Sequence, residues 1–501
     1  MGTINRNTVI VIGDSPLNNS PFEERDLKIE HVSWDEVENR FNDARAIVIS
    51  DFPGKFALMN KCFSELFIKA EDHGLAQLII VHSLHDHSQV DSIRKEAVKN
   101  IYKREFVSRI YDAKDISKAA EFIARHKIGK PHKNARIEPD EILKQLSKDD
   151  ILLLKRAFYD CDKIYLEKLS GGVAAYNIFR VFAWIPDSLV GPSPMPFFVK
   201  IASIDDIQKE KDKYEYYAEH YIPFHLRPNL DLKRCIQTHS LGALVGNFVG
   251  DAVSLRTKLR SDDGSGIIFS LFETSLRGFR LQPFVSKKKP KSNFKDYVNY
   301  RIWIEELNKR KDLIKRAKKL GFKSTPGELQ NFIESKAEKL STIVGPHHAD
   351  LHQGNIMVRG NDAILIDFFS TENDGPLAAD PITLEVSLVF STDNNEKLEE
   401  FDSWKTFVDE IYPSKFNTHP PSLSEVKPGP FSWLRRAIRE LRHIIIACDS
   451  KDTCAKIMLV TYLIRFARFA QKDTSDNLKK LKFDRHAYAL VVAERICNSM
   501  K

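Results

Sequence analysis

The sequence predicts an α/β N-terminal domain with a doubly wound, parallel five-stranded sheet, followed by a larger α+β domain of two lobes. Three observations predict this. Over residues 1–127 short β-branched runs alternate with amphipathic helical segments, the signature of a parallel sheet with helices on both faces. A polar stretch holding Gly129 and Pro131, residues 128–137, then reads as a linker. Beyond it come strands around a glycine turn, and after those mostly helical patterns. The expected bounds are 138–274 for a strand-rich lobe and 275–501 for a helical lobe with a C-terminal extension.

In the N-terminal domain the strands read as Val9–Gly13, Ile29–Val32, Ala46–Ser50, Gln77–His82 and Val107–Tyr111. Helical patterns cover Phe56–Asp72, Gln89–Lys99 and Ile116–Ala124. Asp14, Asp51 and Ser83 each fall just past a strand end, where such sheets gather ligands. On those residues the half resembles a response-regulator receiver domain, with Asp51 and Ser83 at the phosphate-accepting and sensing positions. It departs from that pattern where the first strand ends Gly13-Asp14, without an acidic pair, and where Lys114 is displaced from the fifth strand. Asp51 reads more readily as a loop-start residue capping the helix after Pro53-Gly54. Either way the half is expected to dock a protein partner or to regulate.

The chain has 501 residues, 42% hydrophobic and 10% aromatic, enough for two or three packed domains rather than disorder. Its net charge of +7 is a mild excess that suits a nucleotide as well as a nucleic acid. The basic run Lys287–Lys291 reads as a solvated loop, not a nucleic-acid patch. Six scattered cysteines without a Cys-x-x-Cys pair suggest free thiols in a reducing compartment. With no apolar run of membrane-spanning length, a cytoplasmic protein away from membranes is expected.

The larger domain opens on a helix capped by Ser147 and Asp150. Ile164 to Val181 reads as strand, glycine turn, strand, with Gly171 and Gly172 at the tip, where a bare backbone can approach phosphate. Pro196–Ala202 is a strand carrying one lysine, Lys200. The helix after it shows an apolar stripe of Ile207, Tyr214, Tyr217, Ala218 and Tyr221. At about 100° per residue Glu210 falls on that stripe. Glu215 and Glu219 fall off it, so Glu210 is the expected partner of Lys200, with Glu215 the alternative. Strands are expected at Ala243–Phe248 and Gly266–Phe272, the second ending at Glu273, where a connection between lobes would present backbone groups to an adenine ring. Helical segments follow around Phe294–Leu307 and Leu329–Leu340.

The densest signal is Gly345-Pro346-His347-His348-Ala349-Asp350-Leu351-His352-Gln353-Gly354-Asn355, followed by Ile364-Leu365-Ile366-Asp367. Asn355–Val358 and Ile364–Asp367 read as a β-hairpin turned at Arg359–Asp362. Its open end brings Asn355 and Asp367 to the loop carrying Asp350. Three oxygen-bearing side chains then suit phosphoryl transfer: one takes a proton from a hydroxyl, and two hold Mg²⁺ on the phosphates of ATP.

On His348-x-Asp350-Leu351-His352-x-x-Asn355 and Ile366-Asp367-Phe368, about 140–501 resembles the aminoglycoside phosphotransferase and choline kinase group, which has a protein-kinase-like fold. The resemblance implies Asp350 as catalytic base, His352 beside the transferred phosphate, and Asn355 and Asp367 as Mg²⁺ ligands. It implies Lys200 and Glu210 as the phosphate-anchoring pair, and His348 as a brace for the loop. Gly375–Pro381 echoes a later Gly-Asp-Pro segment, with Glu385 one place out of step. Competing readings are a zinc site at His348 and His352, opposed by Gly345-Pro346 and Gly354, and an ATP-binding signalling scaffold or protein kinase coupled to the N-terminal domain. The hydroxyl acceptor, expected to be a small molecule, stays open. Arg435, Arg439 and Arg442 share a helix face that reads either as part of an acceptor cleft or as a solvated basic surface.

Overall fold

The computed structural model describes residues 8–13, 17–33, 44–50, 77–82, 108–125, 129, 135–169, 177–238, 241–261, 264, 266–285, 294–392, 401–421, 429–448, 451–470 and 476–501. Two compact units divide the chain, Met1–Lys211 with Asn229–Gly250, and Asp212–Pro228 with Asp251–Lys501.

In the first unit, strands β1 (Thr8–Ile12), β2 (Lys28–His31), β3 (Ala44–Ile49), β4 (Gln77–His82) and β5 (Ser108–Asp112) form one sheet in the order β2-β1-β3-β4-β5. Every pairing in it is parallel. The continuous apolar runs of β1 and β3 are buried, as a strand covered on both faces requires. Val9, Val11, Val48, Ile79 and Val81 pack with Ile116, Ala119, Ala120 and Ile123 of the helix Ile116–Arg125. Those helix positions recur at i, i+3, i+4 and i+7, one face of the cylinder. Arg45 ties the helix end to β3, its Nε donating to the Ile123 carbonyl at 2.9 Å. The expected helices Phe56–Asp72 and Gln89–Lys99 lie outside the described residues, as do Asp14, Asp51 and Ser83.

A second sheet in this unit has the order β10-β11-β9-β8-β7-β6, from β6 (Arg136–Glu138), β7 (Lys163–Lys168), β8 (Asn177–Trp184), β9 (Phe197–Ser203), β10 (Ile236–Gln237) and β11 (Leu241–Asn247). The expected linker 128–137 therefore ends inside a strand: β6 pairs parallel with β7, Ile137 opposite Ile164. The other pairings are antiparallel. The helix Lys148–Ala157 begins on the expected capping box, the Ser147 Oγ accepting from Asp150 N at 3.1 Å while the Asp150 carboxylate accepts from Ser147 N at 2.9 Å. It buries Leu153, Leu154 and Ala157 against Leu166, Phe179, Val181, Val199 and Val245. Each of these leucine, valine and phenylalanine side chains contributes about 1.5–3 kcal/mol. Gly171 and Gly172 lie between β7 and β8, outside the described residues.

The second unit holds two small sheets, β12 (Val253–Ser254) with β14 (Ile356–Arg359) and β15 (Asp362–Leu365), and β13 (Val344–His347) with β16 (Glu372–Pro376). Around them pack helices, among them Ala379–Phe390, buried along its whole length, and Ser432–Ala447 and Asp452–Arg468, which lie against it. Gly266–Phe272, expected as a strand, is helical here: Ile267–Ser270 is α-helix and Leu271–Ser275 a π-helical turn. Ile267, Ile268, Leu271 and Phe272 are buried while Phe269 is exposed. That i, i+1, i+4, i+5 pattern is a helix face, whereas a strand would alternate. Five cysteines, Cys161, Cys235, Cys448, Cys454 and Cys497, are buried and free. Among the described residues no helix is long and apolar enough to cross a membrane.

Candidate functional site

The first unit places Lys200 and Glu210 together. Lys200 sits on β9 among apolar neighbours, and Glu210 lies on the helix Ile204–Lys213, whose buried positions are Ile204, Ile207 and Glu210. Lys200 Nζ is 2.7 Å from Glu210 Oε2. Glu219 is exposed and Glu215 half-buried on the following π-helical turn, so the helix face selects Glu210. A buried charge requires such a partner.

In the second unit the loop after β13 is fastened from behind by Asp380. Its buried carboxylate accepts from His348 N at 2.8 Å and from Ala349 N at 3.0 Å. Burial pushes the Asp380 carboxyl up, against the pull of His348 and these two amides. Ala349 has φ of 66°. A left-handed alanine costs roughly 1–2 kcal/mol, which the two charge-assisted bonds offset. The buried His348 ring braces the loop from the other side, Nε2 donating to the Ile366 carbonyl at 3.1 Å. That bond assigns the proton to Nε2.

Asp350, His352 and Asn355 are joined by direct bonds, and Asp367 follows Ile366, which is bonded to Asn355. The Asp350 carbonyl accepts from His352 N at 2.8 Å and from Asn355 Nδ2 at 3.0 Å. Asn355 N donates to the His352 carbonyl at 2.9 Å, and Ile366 N to the Asn355 carbonyl at 3.0 Å. This last bond extends the β14–β15 hairpin, in which Ile356 opposes Leu365 and Arg359 opposes Asp362 across Gly360. Gly360 turns with φ of 60°, a conformation glycine takes at no steric cost. The hairpin arms run 356–359 and 362–365, so the expected convergence of Asn355 and Asp367 falls at its open end. Asp367 also has φ of 60°, and Phe369 N lies 3.4 Å from its Oδ1. Non-glycine residues in this region of backbone space cluster where structure serves function.

Asp350 has an unexpected partner. Arg465, on the helix Asp452–Arg468, donates Nη2 to Asp350 Oδ1 at 3.0 Å. His352 Nε2 is 3.9 Å from the other oxygen, Oδ2, while its Nδ1 accepts from Gly354 N at 3.0 Å. Desolvation pushes the His352 imidazole down, the carboxylates of Asp350 and Asp367 pulling it back. The neutral form thus prevails at pH 7.

The set fits a divalent cation. With Asn355 Nδ2 spent on the Asp350 carbonyl, the amide oxygen is the atom that would meet a metal, and Asp367 would supply the carboxylate. Among the described residues no three His, Cys, Asp or Glu side chains form a metal cluster. His348 and His352 do not lie on a helix, and His348 Nε2 is occupied by the Ile366 carbonyl.

Glu273 does not belong with these residues. It lies on the π-helical turn and pairs with Arg280, so it is no strand-end link between lobes. The arginine face is likewise taken up internally. Arg442 is buried on Glu385 at 3.0 Å, Tyr412 Oη also donating to that glutamate at 2.9 Å. Arg439 donates to the Pro421 carbonyl at 3.0 Å, and Arg435 pairs with Glu410. Sequence reasoning missed Arg465 and the fastening role of Asp380. Asp380 had a signal in the Gly375–Pro381 echo; Arg465, 115 positions from Asp350, had none.

The family model of ternary complex associated domain 9 matches residues 321–449. Comparison with curated proteins finds no match. Among solved structures the chain is similar to a thermostable mutant of aminoglycoside phosphotransferase APH(4)-Ia in a ternary complex with ADP and hygromycin B, at 13% identity and a TM-score of 0.39, covering 71% of this chain and 99% of that one. It is similar to ADP-bound aminoglycoside phosphotransferase APH(2'')-Ib at 15% identity and a TM-score of 0.36, covering 71% and 97%. It is also similar to amicoumacin kinase hAmiN, with AMP-PNP and Ca²⁺, at 14% identity and a TM-score of 0.31, covering 70% and 96%. Residue roles in this chain rest on its own side chains.

Proposed function

We propose that this chain is an ATP-dependent phosphotransferase that moves the γ-phosphate to the hydroxyl of a small molecule. The observation that carries the reading is the bonded set of Asp350, Asn355 and the open end of the hairpin leading to Asp367. In this reading the Asp350 carboxylate takes the acceptor's hydroxyl proton as its oxygen attacks the γ-phosphorus. The bond to the bridging oxygen breaks and ADP leaves. Lys200, held by Glu210, binds the α- and β-phosphates. Asn355 and Asp367 would hold Mg²⁺, which would neutralise charge on the phosphates. The neutral, half-exposed His352 donates toward the transferred group.

The ion pair from Arg465 to Asp350 favours one second reading, a chain that binds ATP without turning it over, because Arg465 occupies the Oδ1 that a base would turn toward the acceptor. Transfer of γ-labelled phosphate from Mg·ATP to a panel of hydroxyl compounds separates the two. Asp350→Asn is expected to lower the rate at least about 100-fold. Equal rates in the two proteins would leave the scaffold standing. For the N-terminal sheet the same reading gives a doubly wound module that docks a protein partner. Deleting residues 1–127 should then release a partner in pull-down while sparing ATP turnover.

A further inference from the structure

The end of the helix that reaches Asp350 carries two cations, with exposed rings against the second. Arg465, which holds Asp350 Oδ1, is followed one turn later on the same helix by Arg468. Residues three apart on a helix lie side by side. Arg468's guanidinium lies 5.2 Å from the Trp303 ring and 4.7 Å from that of Phe469. Burial, and next the charge of Arg465, hold Arg468 below its ordinary range, so the two cations feel one another. The acidic neighbour Glu306 is engaged by Lys309 at 2.6 Å.

Trp303 is the odd residue. The residue is 61% exposed, although a surface tryptophan gains nothing from water. Its backbone is left-handed, with φ of 46°, a region bulky side chains avoid. A strained, exposed aromatic against Arg468, one turn along the helix from the arginine that holds Asp350, points to a ligand. An arginine against a ring also marks where a flat π-system can be held. Arg465 and Arg468 would repel a polycation, whereas an anion would be drawn to both guanidinium groups and would compete with Asp350 for Arg465.

Resting on the phosphotransferase reading, we infer that the hydroxyl acceptor is an anion carrying an aromatic ring, its charge met by Arg465 and Arg468 and its ring stacked on Trp303. The test titrates the full chain by calorimetry with uridine 5′-monophosphate, with uridine, and with the cationic hygromycin B, both without nucleotide and with Mg·AMP-PNP saturating. Uridine 5′-monophosphate is expected to bind about tenfold tighter than either of the others, and Trp303→Ala and Arg468→Ala should each weaken it about five- to tenfold. Circular dichroism of both variants reports that they fold. Tightest binding by hygromycin B, no binding of uridine 5′-monophosphate, or an affinity that neither substitution moves would overturn the inference. Failure of AMP-PNP to bind, or an unchanged transfer rate in Asp350→Asn, would instead strike the phosphotransferase reading.

Discussion

Lys200 Nζ lies 2.7 Å from Glu210 Oε2, and both side chains are more than nine-tenths buried. Removing one member of such a pair strands the other charge, at a cost of about 3–5 kcal/mol. Glu210→Ala or Lys200→Met should therefore lower the urea midpoint strongly. The double variant Lys200→Met/Glu210→Leu should recover most of the lost stability, since an apolar pair of similar volume is often neutral. It should not recover phosphate transfer if Lys200 binds phosphate. A double variant that regains both stability and transfer would reduce the pair to a structural role.

The parts of this pair were legible because a helix repeats every 3.6 residues: the stripe of Ile207 and Tyr214 put Glu210 inward without any knowledge of the partner. The hairpin was legible for a similar reason, two apolar arms around a glycine turn. Gly266–Phe272 misled, since a short apolar run of β-branched residues suits a buried helix as well as a strand. Only packing decides, and it buries Ile267, Ile268, Leu271 and Phe272 on one side. Arg442 misled differently. Its stripe-mates suggested a solvent face, but Glu385 and Tyr412 arrive from distant parts of the sequence to bury it. Arg465 was hidden by the same long-range geometry.

Asp380 is expected to set the position of Asp350. Asp380→Ala leaves two buried amides, those of His348 and Ala349, without acceptors, at about 1–3 kcal/mol each. Ala349 then has no reason to stay left-handed, and the loop should relax. Transfer should fall by about tenfold or more while the KM for ATP changes little, because Asp380 touches no atom assigned to the nucleotide. Asp380→Asn retains one acceptor and should fall between. Steady-state kinetics on the two variants read the difference, and a loss confined to KM for ATP would contradict the positioning role.

His347 makes the acid limb of stability steep. Burial, and then the charge of Arg301, push its imidazole down to about 3, from an ordinary value of 6.5. The unfolded chain takes a proton near pH 6.5 and the folded chain does not. Its contribution is therefore fully present above pH 6.5 and lost as pH falls toward about 3, at about 1.4 kcal/mol per pH unit. His486, pushed down to about 4, acts over an overlapping window with the same sign. His347→Gln should remove one proton's worth of slope between pH 6 and 4 and leave that of His486. Urea midpoints across that range measure it, and parallel curves for the two proteins would rule out His347 as the source. The ring also fixes Gly375, where an added Cβ would come within 1.9 Å of His347 Cε1.

Metal dependence separates the two jobs of Asn355. Its Nδ2 holds the Asp350 carbonyl and its Oδ1 is the proposed ligand, so Asn355→Ala loses both and Asn355→Asp loses only the donor. Asp367→Ala removes a ligand and leaves that hydrogen bond intact. If the two residues share one Mg²⁺, Asp367→Ala and Asn355→Ala should each raise the Mg²⁺ needed for half-maximal transfer by about tenfold or more. Asn355→Asp should need no more Mg²⁺ than wild type, because a carboxylate binds the cation at least as well. It should still transfer more slowly, since the Asp350 loop has lost its tie. Chelation should abolish transfer in wild type and leave its thermal midpoint in place, because the hydrogen bonds that hold the loop contain no metal. A Mg²⁺ requirement that none of these substitutions shifts would move the cation to other residues, and with it the assignment of Asp367.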